Sequence, residues 1–375
     1  MNGSVDSSIA RVRATPGLAV MVGPDPHAKG GMATVARNYQ DAGLFSDGSV
    51  VYLATHRTGP LPIKIITAAL ALAKCWALML RGRGRVLHVM SASGVSFFRK
   101  SLFIWSAAIF RRAIIFHLHG GQFNDFLGPD KSGLRYRFVV STLKRVDRIL
   151  VLSNEMQGWL AGLGLPASVR ILPNPIPAAL TVGHAEQRRR DTADRAIVFL
   201  GELSEAKGLH DLIASFGALA KRGVRCRLLI AGPGDQARWR ELAKAAGCGE
   251  SCEFVGWVDG ERKTRLFQAA SAVALPSYHE GQPMVVLEAM VRGVPVVATR
   301  VGGLPDITGD GRFAHLIEPG DRPGLADQLE RAISGDDSTS RMAAEAQRYA
   351  STVHAPDAVC EGLVELYHQL ANRQS

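Results

Sequence analysis

The amino-acid sequence predicts an α/β protein built from two doubly wound domains. Short apolar runs alternate with longer helical stretches through both halves of the chain, a pattern typical of parallel sheets that helices cover on both faces. A length of 375 residues is long for one hydrophobic core and suits two domains of ordinary size. The composition, with 47% hydrophobic and 21% charged residues, is that of a globular protein. Because open α/β sheets bind ligands outside the carboxyl ends of their strands, we expect the two domains to face each other across a ligand-binding cleft.

The first half of the chain contains the elements of one complete sheet. Its predicted strands are 18–22, 50–53, 86–90, 113–118, 148–152 and 169–172. Its predicted helices are 32–42, 62–80, 95–110, 134–145 and 155–162. Pro173-Asn-Pro-Ile-Pro177 then ends regular structure, and the polar stretch 183–194 is typical of a linker.

The second half repeats the alternation of strand and helix. Its predicted strands are 196–200, 227–231, 253–255, 272–275, 294–298 and 315–317. Its predicted helices are 209–221, 235–246, 261–270, 284–292, 322–333, 341–352 and 356–370.

The charge of the chain is concentrated in the first half. Residues 1–180 contain 21 lysines and arginines against 8 aspartates and glutamates, whereas the remainder contains 23 against 26. Such an excess indicates an acidic partner. No basic helix has the spacing needed to read bases, so an anionic membrane surface bearing a lipid-diphosphate substrate fits better than nucleic acid, and we expect no nucleic-acid partner.

The cysteines and the terminal segment indicate the compartment. Five cysteines, an odd number without a Cys-x-x-Cys pair, argue against a disulfide framework and are expected to be reduced in a cytosolic protein. The polar stretch 1–13 does not resemble a signal peptide and is expected to be disordered. The longest run free of charged residues, 171–185, contains three prolines, so no segment is expected to span a bilayer as a helix.

The most informative segment is Glu280-Gly-Gln-Pro-Met-Val-Val-Leu-Glu288-Ala-Met, in which seven residues separate two carboxylates. Pro283 suits the first turn of a helix, where its missing N–H would be unpaired anyway. The free N–H groups and positive dipole end of that helix form a ready site for an anion. We expect Glu280 in the loop and Glu288 inside the helix to contact different parts of one elongated ligand, such as two sugars joined by a diphosphate. A capped surface helix with two solvated glutamates would show the same spacing.

The residues around this segment resemble the signature of the retaining glycosyltransferases of family 4, which have the GT-B fold and include enzymes that build bacterial exopolysaccharides. The resemblance is carried by Tyr278-His-Glu280-Gly-Gln-Pro283, Leu287-Glu288-Ala-Met290, Gly293-Val-Pro-Val-Val-Ala298 and Gly302-Gly303-Leu-Pro-Asp306. It extends over nearly the whole chain and implies an N-terminal acceptor-binding domain over 1–177, completed by a returning C-terminal helix at 357–375. Residues 178–356 would form the nucleotide-sugar-binding domain.

The resemblance also implies roles for the residues of the segment. Glu280 would face the donor sugar near its C3 and C4 hydroxyls, and Glu288 would hydrogen-bond the ribose hydroxyls. The backbone N–H groups of the stretch that contains Gly281, Gln282, Pro283 and Met284 would hold the diphosphate. No residue stands out as a covalent nucleophile, and in the family the leaving phosphate is proposed to deprotonate the acceptor hydroxyl.

Lys207 is the candidate partner of the leaving group. It lies in Gly201-Glu-Leu-Ser-Glu-Ala-Lys207-Gly208, after the first strand of the second domain, where an ammonium group can stabilise the charge that grows on a departing diphosphate. The family pattern has arginine where this chain has Glu202, so one phosphate contact is missing. An ordinary surface lysine that opens a helix is the alternative interpretation of Lys207.

Two motifs of the first domain are further candidates. Gly30-Gly31 follows the first strand and allows a close backbone approach to a ligand, although a simple strand-to-helix turn would explain the pair too. In Phe116-His117-Leu-His119-Gly120-Gly121, alternation places His117 and His119 on one face, and only His119 at the carboxyl end. The resemblance places His119 against the donor sugar, whereas His117 is expected in the core or behind it.

A metal is not expected to be required. The chain contains no Asp-x-Asp motif, which other glycosyltransferases use to hold a divalent ion on the diphosphate. The His-x-His pair has no nearby cysteine or carboxylate to complete a metal site. Lysine, glycine N–H groups and a helix N-terminus would take the place of the cation, and no other cofactor is expected.

The acceptor side is expected at a membrane surface. Phe97-Phe98-Arg99-Lys100, Arg111-Arg112 and a loop with Phe123, Phe126 and Leu127 mix basic and aromatic residues, as does the helix 62–80 with Lys64 and Lys74. They would form an interfacial surface, although the apolar members fit a core equally well.

The sequence thus predicts a retaining, metal-independent hexosyltransferase peripheral at the inner face of the cell membrane. It would move a sugar from a GDP- or UDP-linked donor to a lipid-linked oligosaccharide acceptor in surface polysaccharide biosynthesis. A GT-B epimerase or phosphorylase, or a degenerate transferase that acts as a binding partner, are the alternatives. Pyridoxal-phosphate absorbance would identify a phosphorylase, and any turnover of a nucleotide sugar would exclude the degenerate transferase.

Overall fold

The structure is a computed structural model that describes residues 15–128, 130–180 and 195–373. It divides into two compact units, one made of the chain up to Ala178 together with the part from Val353 onwards, the other of Ala179–Thr352. The two boundaries that the sequence placed after residues 177 and 356 differ from these by one and four residues. The expected polar stretches 1–13 and 183–194 lie outside the described residues.

Unit 1 is a parallel sheet of six strands in the order β2-β1-β3-β4-β5-β6. The strands are β1 (Ala19–Gly23), β2 (Val50–Ala54), β3 (Val86–Ser91), β4 (Ala113–Leu118), β5 (Arg148–Val151) and β6 (Ser168–Ile171). Its helices are α1 (Gly31–Asp41), α2 (Leu61–Leu80), α3 (Val95–Ile109), α4 (Phe123–Leu127), α5 (Leu134–Leu143), α6 (Asn154–Ala161) and the C-terminal α14 (Pro356–Asn372). β1, β3 and β4 are buried along their whole length, because helices cover both faces of the sheet.

The C-terminal helix α14 is anchored to the sheet of unit 1. The Tyr367 hydroxyl lies 2.6 Å from His88 Nδ1 on β3, and Arg85 donates to the carbonyl of Ala371 at 3.0 Å. The side chains of Leu363, Val364 and Tyr367 are buried. Burial of this apolar stripe, rather than the local sequence of the helix, holds α14 on the sheet.

Unit 2 is a second parallel sheet of six strands, in the order β12-β11-β10-β7-β8-β9. The strands are β7 (Ala196–Leu200), β8 (Arg227–Ala231), β9 (Cys252–Gly256), β10 (Ala272–Leu275), β11 (Val296–Thr299) and β12 (His315–Ile317). Its helices are α7 (Leu209–Lys221), α8 (Gln236–Ala245), α9 (Gly260–Ala269), α10 (Met284–Val291), α11 (Leu304–Ile307), α12 (Arg322–Ser334) and α13 (Asp337–Val353).

The predicted α/β class with two doubly wound sheets is confirmed, and the twelve predicted strands are those of the two sheets, with ends shifted by at most two residues. Two short helices, α4 and α11, were not predicted, and α13 begins four residues before its predicted start. The five cysteines are free thiols.

The sequence analysis expected no segment to span a bilayer as a helix, and one helix, α2, is longer and more apolar than that expectation allowed. By length and composition, α2 meets the requirement for a membrane-spanning helix. The prediction counted runs free of charge, and Lys64 and Lys74 interrupt such a run without making the helix polar. Within unit 1, Ala71, Cys75 and Met79 of α2 are buried, while Leu61, Leu70 and Leu80 are 68%, 58% and 74% exposed.

Part of the predicted interfacial surface lies in the core of unit 1. Phe97, Phe123 and Leu127 are buried, and they pack with one another and with Phe116. Lys100 is only 1% exposed, so its ammonium group does not face solvent, contrary to the expectation that it belongs to a basic surface. Periodicity alone does not separate a buried helix face from an amphipathic surface one, because both place apolar residues three to four positions apart.

Candidate functional site

The candidate site of unit 2 lies where its sheet changes direction. The chain passes from β7 outward to β8 and β9, then returns to place β10 on the other side of β7. The loops after β7 and β10 therefore leave the same edge of the sheet on opposite sides, which makes a crevice at the carboxyl ends of the strands. Lys207 lies in the loop after β7, and Glu280 lies in the loop after β10.

Glu280 and Lys207 form an ion pair at this crevice. The Lys207 Nζ lies 2.7 Å from Glu280 Oε1, and the Ser277 hydroxyl donates to the same oxygen at 2.7 Å. Glu280 is 9% exposed. Among the residues that the structure describes, both hydrogen bonds converge on Oε1 and none reaches Oε2. The carboxylate is thus fixed by one oxygen, and the other has its lone pairs available to a ligand.

Two glycines pack against the backbone of the loop that carries Glu280. A Cβ on Gly208 would lie 1.8 Å from the carbonyl oxygen of Pro276, and a Cβ on Gly302 would lie 1.8 Å from that of Glu280. Both glycines have positive φ, at 68° and 54°. No other residue fits either position, because a side chain would clash with the backbone and strain its own. The Lys-Gly and Gly-Gly motifs thus position Glu280 by close backbone contact.

α10 begins directly after the candidate phosphate-binding stretch. The helix starts at Met284, as predicted, but Pro283 is the residue that precedes the first turn rather than a member of it. No side chain caps this N-terminus. Gly281, Gln282 and Pro283 therefore lead into a helix end that offers backbone N–H groups, the arrangement that binds anions.

Glu288 is held by a residue that the sequence analysis missed. Lys263, on α9, contacts both carboxylate oxygens of Glu288, at 2.8 Å from Oε1 and 2.7 Å from Oε2. Glu288 is 2% exposed and lies on the second turn of α10. Lys263 belongs to the charged run Glu261-Arg-Lys-Thr-Arg, and no local signal distinguishes it from its neighbours.

A second missed group supports the same loop. Tyr278 donates its hydroxyl proton to Asp211 Oδ2 at 2.7 Å, and Arg322 Nε donates to Asp211 Oδ1 at 2.7 Å. Burial works against the charge of Asp211, but the hydrogen bonds from Arg322 and Tyr278 outweigh it and lower the pKa of this carboxyl. Asp211 thereby ties the Tyr278-His-Glu280 stretch to α7 and α12.

In unit 1, the two glycines after β1 border open space. Gly30 has a φ of 127° and precedes the first residue of α1, so only glycine is comfortable there. A Cβ on Gly30 or Gly31 would meet no heavy atom within 4 Å. Internal packing therefore does not require a glycine at position 31. The N-terminal end of the 11-residue helix α1 borders open space in which a ligand could bind.

His119 lies at the carboxyl end of β4 as predicted, next to a chain of histidines. Its ring centroid is 4.1 Å from that of His117, His117 Nδ1 is 3.3 Å from His88 Nε2, and His88 contacts Tyr367. Burial lowers the pKa of His119 to about 3, so its ring is neutral at physiological pH. Its Nε2 is buried without a hydrogen-bond partner among the described residues. His117 is fully buried, as expected for a core residue.

The two units contribute different chemistry. Unit 2 brings Lys207 together with Glu280 and pairs Glu288 with Lys263, while unit 1 carries His119, Gly30 and Gly31. Within the described residues, no three or more His, Cys, Asp or Glu side chains are grouped so that they could hold a metal ion. Fixed ammonium groups and a helix N-terminus are thus the cationic elements that unit 2 offers to an anionic ligand.

Comparison with known proteins finds a family that unit 2 resembles. Residues 184–349 match the family model described as glycosyl transferases group 1. A D-inositol 3-phosphate glycosyltransferase of Corynebacterium urealyticum is 34% identical over 184 residues, which are 47% of this chain and 43% of that protein. The chain spans about half the length of the curated relatives it matches.

Solved structures resemble the chain over nearly all of its length. Sucrose-phosphate synthase of Thermosynechococcus elongatus aligns with a TM-score of 0.76 at 18% identity, covering 95% of this chain and 99% of that one. HepE of Anabaena, in complex with UDP-glucose, aligns with a TM-score of 0.72 at 18% identity, covering 94% and 99%. These similarities establish the GT-B fold of the two Rossmann-like units, and residues 184–349 are similar to the group 1 glycosyl transferases.

Proposed function

We propose that this chain is a retaining glycosyltransferase of family 4 that transfers a hexose from a UDP- or GDP-linked donor without requiring a metal. The observation that carries the proposal is the Glu280–Lys207 pair at the crevice of unit 2, with Ser277 on the same carboxylate oxygen. One ionised acceptor and one ammonium group lie side by side, which suits a ligand that has sugar hydroxyls next to a diphosphate. The group 1 family match and the UDP-glucose bound to HepE support this class of donor.

The contacts of Glu280 define its proposed role. Because Oε1 accepts from Lys207 and Ser277, we assign Oε2 to a hydroxyl of the donor sugar. The Lys207 ammonium would contact the diphosphate together with the N–H groups at the start of α10. Negative charge grows on the diphosphate as the glycosidic bond breaks, so a fixed cation there lowers the barrier. The departing phosphate would accept the proton of the acceptor hydroxyl.

The contacts of Glu288 define a different role. Its carboxylate is paired with Lys263 through both oxygens, and two oxygens can accept further hydrogen bonds from ribose hydroxyls. Arg292, whose Nη1 donates to the Glu288 carbonyl at 2.9 Å, adds a second positive charge nearby. On the resemblance, His119 would contact the donor sugar, and Gly30 and Gly31 would border the diphosphate.

The test is a titration followed by a product analysis. Isothermal titration calorimetry with UDP, GDP and ADP measures whether a nucleoside diphosphate binds and which base is preferred. Hydrolysis of the matching nucleotide sugar is then followed by proton NMR, which gives the anomeric configuration of the first-formed sugar. An α-linked donor that yields an α-configured product supports retention, and inversion would overturn it. Loss of all turnover in excess EDTA would contradict the metal-independent scheme.

We further propose that the acceptor is a lipid-linked oligosaccharide, that the chain acts in exopolysaccharide biosynthesis, and that it is peripheral at the cytoplasmic face of the membrane. The support is α2, whose outward face exposes Leu61, Leu70 and Leu80 beside Lys64 and Lys74. Its other face, with Ala71, Cys75 and Met79, is buried in the core of unit 1. A helix whose inner face is committed to a core can lie on a membrane surface, but it cannot span it without unfolding the unit.

Vesicle sedimentation tests the membrane proposal. The double variant Leu61→Gln and Leu70→Gln, and separately Lys64→Gln and Lys74→Gln, should both bind anionic vesicles more weakly than the unchanged protein. Each lysine near the surface contributes about 1 kcal/mol, an attraction that falls steeply with salt. Lys131→Gln, at an exposed lysine outside α2, is the matched control. Equal binding to neutral and anionic vesicles at low salt would contradict electrostatic docking.

A further inference from the structure

Unit 1 contains a group of basic side chains that, apart from Lys64, have none of the roles proposed above. His56 is the second residue after β2, Lys64 lies on the first turn of α2, and Arg99 and Lys100 lie on the second turn of α3. Asp25 N donates to the carbonyl of His56 at 2.8 Å, which joins the loop after β2 to the loop after β1. The group therefore lies at the carboxyl edge of the sheet, beside the loop that ends at Gly30.

Lys100 is the centre of this group. It is 1% exposed, and its Nζ donates to the hydroxyl of Thr55, which itself donates to the carbonyl of Gly23 at 2.9 Å. An ammonium group has three protons to donate, and within the described residues this is its one hydrogen bond. Burial, and then the neighbouring charge of Arg99, lowers the pKa of Lys100 well below its usual value.

The neighbours of Lys100 lack acceptors as well. Arg99 Nε and His56 Nδ1 are both buried without a hydrogen-bond partner among the described residues. Burial lowers the pKa of His56, and the charges of Arg99, Lys64 and Lys100 lower it further. In the part of the chain that the structure describes, no carboxylate contributes to the shifted pKa of His56, Arg99 or Lys100.

The acidic side chain of the adjoining loop is already engaged. Asp25, in the loop after β1, pairs with Arg57 at 3.1 Å and accepts the backbone N–H of His27 at 2.9 Å. A buried lysine without a counter-ion costs several kcal/mol, either as an unpaired charge or through the loss of its proton, and an apolar residue of similar volume would stabilise the fold better. Internal packing therefore gives no reason for a lysine at position 100, next to two further unsatisfied nitrogen atoms.

We propose that Lys100, Arg99 and His56 form a binding subsite for an oxyanion, a phosphate or a carboxylate, carried by the acceptor. The ligand oxygens would accept from the ammonium group, from Arg99 Nε and from the imidazole, and thereby satisfy all three groups at once. This inference rests on the proposed transferase function and narrows its acceptor to an anionic one. Lys64, at the rim, adds positive charge to the approach.

The test is a titration of the UDP-loaded protein with inorganic pyrophosphate, geranyl diphosphate and glucuronate. Saturating UDP occupies the phosphate contacts of unit 2, so that binding reports the remaining site. We expect Lys100→Met and Arg99→Gln each to weaken binding of the preferred anion about tenfold or more, the loss expected for one charged hydrogen bond. Lys144→Met, which removes an exposed lysine of unit 1, should bind like the unchanged protein.

The three probes separate the sources of the anion. Tighter binding of geranyl diphosphate than of pyrophosphate would indicate a lipid phosphate, equal binding a free phosphate group, and preference for glucuronate an acidic sugar. Unchanged affinity in Arg99→Gln and Lys100→Met, or no binding of any probe, would overturn the subsite. If Lys100→Met does not fold, Arg99→Gln alone decides.

Failure of the subsite is distinguishable from failure of the proposed function. UDP affinity and donor hydrolysis should be unchanged in Arg99→Gln, because Arg99 is not among the proposed donor contacts. If UDP does not bind at all, the donor assignment fails, and the same titrations are run on the unliganded protein with Lys207→Met added. Pyrophosphate binding that is lost in Lys207→Met but kept in Arg99→Gln would assign the anion to unit 2 and refute the subsite.

Discussion

The two units treat buried charge in opposite ways. In unit 2, the buried carboxylates have cationic partners at 2.7 Å: Lys207 for Glu280, Lys263 for Glu288 and Arg322 for Asp211. In unit 1, burial lowers the pKa of His88, His117, His119 and Lys100, and among the described residues no carboxylate contributes to these four shifts.

This difference separates two kinds of site. Unit 2 holds its charges in fixed pairs, so a polar ligand meets groups that are already charged and oriented, and little reorganisation is needed. Unit 1 keeps imidazoles neutral and leaves basic nitrogen atoms without acceptors, so a ligand that brings negative charge supplies what the fold lacks. Paired charge is what the proposed site for a sugar and a diphosphate needs, and unpaired basic groups are what the proposed anion subsite needs.

The largest expected effect is a difference in acid stability between the units. A histidine whose folded pKa is lowered to about 3, as in His88 and His119, is protonated more readily in the unfolded chain. Stability is therefore lost as the pH falls below the unfolded value of about 6.5, by about 1.4 kcal/mol per pH unit for each such histidine. Unit 1 should open between pH 6.5 and 4, as measured by hydrogen exchange of peptides from each unit.

Unit 2 is the internal control for this experiment. The pKa of the Asp211 carboxyl is lower in the folded protein than in the unfolded chain. Its stabilising contribution is therefore present above the unfolded pKa and is lost only as the pH falls towards the folded pKa. His315 in unit 2, whose pKa is also lowered by burial, is expected to lose stability in the same direction as the histidines of unit 1. If hydrogen exchange accelerated first in unit 2 as the pH falls, the buried histidines of unit 1 would not govern the acid stability of unit 1.

Glu280→Ala tests the loop-held carboxylate and should have the next largest effect. Turnover should fall about 100- to 1000-fold, because the proposed contact to the reacting sugar is lost, while UDP affinity stays within a few-fold. Steady-state kinetics and calorimetry give the two numbers. Glu241→Ala, at an exposed glutamate of unit 2, is the control and should leave both unchanged. A variant that lost UDP affinity in proportion to turnover would assign Glu280 to the nucleotide instead.

Lys207→Ala removes the partner of Glu280. It should cost about 2–4 kcal/mol of transition-state stabilisation, the loss expected for one charge-stabilising donor. Turnover in excess EDTA should fall only modestly in the unchanged protein. Lys244→Ala, which removes an exposed lysine of the same unit, should behave as the unchanged protein does. The result that would count against this scheme is activity that survives the loss of Lys207 but not chelation.

Glu288→Ala should have the smallest effect on turnover and the clearest effect on binding. UDP affinity should weaken by roughly 1.5–3 kcal/mol, the value of charged hydrogen bonds to the ribose, with turnover at saturating donor nearly preserved. Because the substitution leaves Lys263 unpaired, the double variant with Lys263→Met should recover stability but not affinity. Recovery of UDP affinity in the double variant would show that Glu288 only neutralises Lys263 and does not bind the nucleotide.

The fold could be predicted from the sequence in nearly all its elements. Continuous apolar runs such as Ala113–Leu118 mark strands buried on both faces, and their alternation with helices leaves little choice of architecture. The two short helices α4 and α11 were missed because four or five residues carry no periodic signal. The length and apolar composition of α2 were missed for a different reason. A search for runs without any charged residue is a stricter test than the mean hydropathy of a helix.

The sequence by itself determined where the candidate site residues stand along the chain: Glu280 in a loop, Glu288 in a helix, Lys207 after a strand and His119 at a strand end. Only the tertiary structure decided their partners. Lys263 pairs with a residue 25 positions away, Lys207 with one 73 away, and Lys100 reaches Thr55 from 45 away. Local propensity is encoded within a few residues, whereas the pairing and burial of a charge depend on which distant elements pack together.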